Sequence, residues 1–225
     1  MRARRVHPIL VEVLGVAGSG KSTITSRLVS GGSLERAPFI SAREPAHLAQ
    51  IAIALPQTIH LVLANLIRKP RMTWADFKLM AYVTRWRHLL KEPRYSGRIL
   101  VLDQGPLYAL VRLKAKGLGL TSTRGFERWW RRQLARWARS IRAVVWLDAP
   151  DEILASRINQ RDQSHWVKGE APDVSLAFIR RYRDLFLEVI EEMEEMGGGP
   201  VIHRFDTDAI TAEEISEQVS KSLAG

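Results

Sequence analysis

Residues 15–22 read Gly15-Val16-Ala17-Gly18-Ser19-Gly20-Lys21-Ser22, which puts three glycines, a lysine and a hydroxyl at the spacing that wraps a polyphosphate. Glycines permit backbone angles that turn successive N–H groups toward phosphate oxygens. Lys21 brings a point charge for the outer phosphates, and the Ser22 hydroxyl can hold a magnesium ion. Thr23 to Val29 suit a helix whose positive dipole end would face the same anion. Gly15, Ala17, Gly18, Ser19, Gly20, Lys21, Ser22 and Thr23 are therefore the expected nucleotide-binding residues, with ATP as donor and Mg2+ as its ion.

Further along, acids and cations recur where they could work on that phosphate. Asp103 ends the apolar run Arg98–Asp103, and an acid there can bind Mg2+ beside Ser22. Asp148 ends a similar run but reads as structural, since Pro150 after it suits the first turn of a following helix. Glu44, between Arg43 and Pro45, could take the proton of an acceptor hydroxyl. Arg43 could stabilise charge on the transferred group. Arg157 and Arg161 stand four apart on a helix predicted after Asp151-Glu152, so they share a face. The polar stretch Asp162–Pro172 reads as a lid, so that residues 157–172 would close an arginine pair over the phosphates and keep water out.

Positioning these groups requires strands that end together. Apolar runs at Ile9–Leu14, Phe39–Ser41, Arg98–Asp103, Val144–Asp148 and Val201–Phe205 alternate with helical stretches. Continuous apolar strands between helices predict an α/β three-layer sandwich around a five-stranded parallel sheet. Ligands bind such sheets at the strands' carboxyl ends, so residues 14–22, 43–45, 103–105, 148–150 and 206–208 should meet at one rim. Ala46 to Leu90 reads as helical, punctuated by Pro56 and Pro70, and residues 46–97 are the expected acceptor-binding wall. Thr73 is its candidate N-cap with Asp76 as a capping-box partner, and Trp74, Tyr82 and Trp86 could line it.

Residues 124–142 mix seven arginines with three tryptophans. Phe126, Trp130, Leu134, Trp137 and Ile141 nevertheless fall on one helical stripe, a core face, which leaves Arg128, Arg132 and Arg139 to solvent. Leu176, Ile179, Phe186, Ile190 and Met193 form a second such stripe, with Glu191, Glu192, Glu194 and Glu195 at the surface.

Composition narrows the classes. The 225 residues fit one sizeable α/β domain, residues 1–225, and 46% hydrophobic with 26% charged residues is ordinary for a globular chain. There is no cysteine, which excludes disulfides and thiolate metal sites. A net charge of +10 attracts polyanions and makes nucleic acid a rival partner. Met1-Arg2-Ala3-Arg4-Arg5 imitates a secretion leader, but the apolar stretch after it ends inside the phosphate loop. Ile51–Ile67 is interrupted by Pro56, Gln57, Thr58, His60 and Asn65, unlike a membrane span. A cytoplasmic protein with no membrane partner is expected. No Asn-Lys-x-Asp guanine motif occurs, and Asp103 lacks the D-x-x-G spacing of a GTPase switch.

Taken in order, the phosphate loop, Arg43-Glu44-Pro45, Asp103, Leu147-Asp148-Ala149-Pro150 and Arg157-x-x-x-Arg161 resemble the thymidylate kinase and deoxynucleoside kinase group, which are P-loop NTPase-type enzymes. The resemblance implies transfer of the γ-phosphoryl of Mg-ATP to a nucleoside or nucleotide-like acceptor. It implies Lys21 and Ser22 on the donor phosphates and Mg2+, Glu44 as base, Asp103 as the strand-end acid and Arg157 and Arg161 in the lid. It also implies Asp206 to Asp208 beside the adenine, and a homodimer. The sequence departs from the group in three places. Gln104 stands where an arginine holds the acceptor, Ala46-His47-Leu48 replaces Gly-Gly-Thr, and Leu48 occupies the position of a tryptophan. An uncharged hydroxyl acceptor is then favoured over a nucleoside monophosphate unless Arg43, Arg85 or Arg87 compensates, with Gln104 and Trp86 as further acceptor contacts. A sugar or antibiotic kinase, or a nucleic-acid-associated ATPase or polynucleotide kinase, remains an alternative.

Overall fold

Strand β1 (Ile9–Gly15) lies at the centre of a five-stranded sheet ordered β2-β3-β1-β4-β5. The other strands are β2 (Glu35–Arg36), β3 (Ile99–Asp103), β4 (Ala143–Asp148) and β5 (Val201–Asp206), and every pairing is parallel. The computed structural model describes residues 7–38, 73–90, 92–115, 123–162 and 165–224. The expected strand Phe39–Ser41, Arg43, Glu44 and the helices read across Ile51–Ile67 lie outside the described residues. Strand β2 precedes them, a two-residue edge strand with no apolar signal.

Parallel strands need crossovers, and helices supply them. These are α1 (Lys21–Ser30), α2 (Trp74–Leu89), α3 (Pro106–Ala115), α4 (Arg124–Ser140), α5 (Asp151–Gln160), α6 (Pro172–Glu195) and α7 (Ala212–Ala224). Because both sheet faces are covered, alternate strand residues enter two cores. Leu10, Leu14, Leu100, Leu102, Val144 and Trp146 pack with Met80, Leu110, Trp137 and Phe186 from α2, α3, α4 and α6. Val11, Val13, Val101, Val145 and Leu147 pack with Ile24 and Leu28 of α1 and Ile215 and Val219 of α7.

Local chemistry starts the helices. At α2, the Asp76 N–H donates to Thr73 Oγ1 (3.3 Å) and the Thr73 N–H donates to Asp76 Oδ2 (2.8 Å), a reciprocal capping box with Asp in the role usually filled by Glu. At α4, Thr123 caps by accepting the Phe126 N–H at 3.2 Å. The α4 stripe is as periodicity requires, with Phe126, Trp130, Leu134, Trp137 and Ile141 buried and Arg128, Arg132 and Arg139 exposed.

Two helix ends differ from the sequence reading. Pro150 is the N-cap of α5 rather than part of its first turn, and α5 stops at Gln160, so Arg161 is extended (φ −70°, ψ 145°). Among the described residues no helix is long and apolar enough to cross a membrane.

Candidate active site

The carboxyl ends of four strands meet at one edge. Ser22 Oγ at the start of α1 donates to Asp103 Oδ2 at the end of β3 (3.1 Å), and the Thr207 N–H after β5 donates to the Asp148 carbonyl at the end of β4 (2.8 Å). The convergence expected for residues 14–22, 103–105, 148–150 and 206–208 is therefore present. Its fifth member, 43–45, falls outside the described residues.

Between β1 and α1 the loop turns too tightly for side chains at its base. A Cβ on Gly15 would stand 2.3 Å from Ser19 Oγ and 2.4 Å from the Leu147 carbonyl oxygen. Gly20 caps α1 in the left-handed region (φ 83°), with no side-chain cap and no acid in the first turn. The first-turn N–H groups of α1 are thereby left without a side-chain acceptor, the arrangement that binds anions at helix N-termini. Lys21 is folded in beneath them, its ammonium donating to the Val16 carbonyl at 2.8 Å. Burial lowers its pKa to about 8, opposed by Asp103 and helped by Arg161.

Next to Lys21, the Asp103 carboxylate has one oxygen on Ser22, while its buried Oδ1 has no hydrogen-bond partner among the described residues; the buried Ser19 hydroxyl has none there either. An unpaired carboxylate oxygen beside a serine hydroxyl is the hard oxygen donor set that suits magnesium. Ser22 and Asp103 fit that ion.

A cavity of about 380 Å³ opens over the loop, lined by Gly18, Ser19, Gly20 and Thr23 on one side and by Arg157, Arg161 and Thr207 on another. Arg157 and Arg161 thus flank the loop together, although the end of α5 separates them and they do not share a helical face. Arg157 is held by Thr207, donating to its Oγ1 (2.9 Å) and carbonyl (3.1 Å), and pairs with Asp208 at 3.6 Å. Asp206, read as a cofactor contact, lines a separate cavity with Asp148 and Arg183, and its Oδ1 accepts the Asp208 N–H at 2.9 Å. Thr207 takes the place beside the loop.

Within the stretch read as a lid, described residues pack on their neighbours. Val167 is buried, its carbonyl accepting from the Ser175 hydroxyl (3.3 Å), and the Gly169 N–H donates to Asn159 Oδ1 (3.0 Å). Burial, then the charges of Arg161 and Lys21, hold His165 below its ordinary pKa. Asp148 has the structural role expected of it. It pairs with Arg183 at 2.7 Å, and Arg183 also bonds Asp151 and the Ala149 carbonyl, tying α6 to the rim.

Gln104, read as an acceptor contact, is exposed at the rim with φ 60°, the one non-glycine in the left-handed region among the described residues. Its carbonyl accepts the Tyr82 hydroxyl at 2.8 Å. Trp86 does not line this surface: it is 2% exposed, packed edge-on to Tyr82 within the core.

One residue of the site was hidden in the apolar reading of β1. Glu12 is fully buried, and its carboxylate accepts the N–H groups of Leu107 (3.2 Å) and Tyr108 (2.9 Å) at the start of α3. Gly105 packs so closely that a Cβ there would stand 2.7 Å from the carboxyl carbon. Glu12 therefore pins the turn carrying Asp103 and Gln104. Burial raises its pKa to about 8, against the lowering effect of these N–H bonds. The available signal was an acid in the middle of a strand flanked on both sides by others.

Comparison with known proteins agrees with this geometry. The family described as AAA domain matches residues 10–188, from β1 into α6. No curated protein matches the sequence. Among solved structures, a deoxyadenosine kinase from M. mycoides with bound dCTP is 14% identical, with a TM-score of 0.58, covering 96% of this chain and 99% of that one. Thymidylate kinase from Candida albicans is 16% identical, with a TM-score of 0.56 and coverages of 97% and 92%. The YorR protein from Bacillus subtilis, in complex with phosphorylated GDP, is 14% identical, with a TM-score of 0.54 and coverages of 96% and 95%. At such identities the likeness is one of fold. By its family match the chain belongs to the AAA domain family, and by its sheet, loop and neighbours it has the P-loop nucleoside and nucleotide kinase fold.

Proposed function

We propose that this protein is a kinase that moves the γ-phosphoryl group of Mg-ATP to a hydroxyl of a nucleoside or nucleotide-like small molecule. The observation that carries the reading is Lys21, buried under an uncapped helix N-terminus and adjoining the Ser22–Asp103 pair at 3.1 Å. Phosphoryl transfer asks little covalent chemistry of a protein and much positioning and charge stabilisation. The α1 N–H groups and Lys21 would grip the donor phosphates. Arg157 and Arg161 would stabilise charge on the transferred group from the opposite side. Magnesium, held by Ser22 and Asp103, would supply neutralisation of the phosphate oxygens. Glu44 is assigned the acceptor's proton, with Arg43 beside it, on the strength of the resemblance in sequence.

Gln104 favours an uncharged acceptor. Its side chain cannot form the bidentate cationic fork that holds an acceptor phosphate. Incubation with Mg-ATP and a panel of nucleosides, nucleoside monophosphates, sugars and aminoglycosides, read by product mass, tests the reading. A phosphorylated nucleoside is expected. Product from sugars or aminoglycosides alone would move the assignment to a kinase of non-nucleoside alcohols, and no transfer to any acceptor would defeat it.

A further inference from the structure

The exposed face of α4 has no role in phosphate transfer, and its chemistry is unusual. Residues 124–142 hold seven arginines, one glutamate and no lysine, so this stretch of nineteen residues carries +6 of the chain's +10. Arg124, Arg128, Arg132, Arg136 and Arg139 fall within a single broad face of the helix, and all are exposed. Arg142, just beyond it, extends the row to the edge of the sheet opposite the phosphate loop.

A face that only keeps a helix wet usually mixes signs, because oppositely charged residues four apart stabilise and like charges repel. Several cations elsewhere in the described fold do have an acid beside them. Arg183 and Arg180 pair with Asp148 and Asp151, Arg204 with Glu194 and Lys221 with Glu217. Among the described residues, Arg131 is the one arginine of α4 with an acid beside it, Glu127 at 2.9 Å. The guanidinium groups of Arg132, Arg136, Arg139 and Arg142 have no partner among the described residues. The helix therefore bears mutual repulsion that nothing else in the described fold relieves.

We propose that this arginine face is a docking surface for the phosphate backbone of duplex nucleic acid. The helix is about 25 Å long at 1.5 Å per residue, and arginines three and four apart recur every ~5–6 Å along it. Guanidinium forks match phosphate oxygens two at a time, which ammonium groups do not. The tryptophans interleaved with the arginines are buried: Trp129 and Trp130 are each 4% exposed and Trp137 1%. No ring on this face can stack on an unpaired base, as single-strand binders require, and none can enter a lipid interface, as amphipathic membrane helices do. Contact is then restricted to phosphates and is independent of sequence.

The test is fluorescence anisotropy with a labelled random 20-base-pair DNA duplex between 50 and 200 mM salt. Three forms are compared: the wild type, the triple variant Arg128→Gln/Arg132→Gln/Arg136→Gln, and an equal-charge control, Arg27→Gln/Arg94→Gln/Lys221→Gln. Each phosphate contact contributes about −0.9 to the slope of log K against log salt. The α4 variant is expected to lose roughly 100-fold in affinity at 100 mM salt and to flatten the slope by about 2–3. The control should stay within about threefold of wild type, and circular dichroism should show all three equally helical. Equal losses in both triple variants would assign any binding to bulk charge and overturn the proposal. So would failure of the wild type to bind, or preferential α4-dependent binding to phosphatidylserine vesicles.

Discussion

Lys21 and Glu12 are both buried ionisable groups within a few ångströms of main-chain partners, yet one faces the proposed substrate and the other faces away from it. Lys21→Ala should abolish phosphoryl transfer while leaving the fold intact, because among the described residues its ammonium makes a single hydrogen bond, to the loop carbonyl of Val16. Unchanged turnover in that variant would refute the assignment. Glu12 makes a different prediction. Its pKa in the folded chain, about 8, lies above the ordinary 4.5, so between these values the folded state binds more protons than the unfolded. Its contribution to stability is fully present below about 4.5 and is lost as pH rises through about 8. Urea midpoints measured from pH 5 to 8.5 should fall in the wild type relative to Glu12→Gln, and parallel profiles would exclude this role. Of these two residues only Lys21 was legible in the sequence. Its motif carries the chemistry in consecutive residue types, whereas Glu12 acts through a turn ninety-three residues away.

At the scale of elements, periodicity determined what it should. Four strands were located to within a residue, and the α4 stripe emerged with each of its five apolar positions buried, because a repeat of 3.6 against a core leaves few alternatives. Trp137 shows the energetic weight of that stripe. It is 1% exposed among Leu10, Trp130 and other core residues, so Trp137→Ala should cost about 3–5 kcal/mol, measured by chemical denaturation. A loss under 1 kcal/mol would mean that the helix is not seated on the core. Where the reading erred, the cause was a helix or strand end. Arg161 lies just beyond α5, and Asp206 lines the neighbouring cavity while Thr207 lines the one over the loop. Termini follow from capping and tertiary contacts rather than from repeats. Trp86 was misassigned because an aromatic ring at helical spacing looks alike whether it lines a cleft or fills a core.

For the whole molecule, the proposed nucleotide site rests on pieces from across the sheet: the β1 loop, Asp103 after β3, Arg157 on α5 and Thr207 after β5. Ligand bound there links segments nearly two hundred residues apart in sequence. Mg-ATP at a hundredfold excess over its dissociation constant should stabilise the fold by about 2.7 kcal/mol. For a chain of this size that is a rise in Tm of roughly 5–10 °C, readable by thermal denaturation, and the rise should vanish in Lys21→Ala. A shift that persists without the lysine would place the nucleotide elsewhere.

The bare start of α1, with neither a capping side chain nor an acid in its first turn, has a practical corollary. Without the proposed nucleotide, that end of the helix should recruit whatever small oxyanion is in the buffer. Sulfate left from precipitation, or a phosphate buffer, would then compete with the proposed donor, and kinetic constants taken in such media would understate the affinity for it.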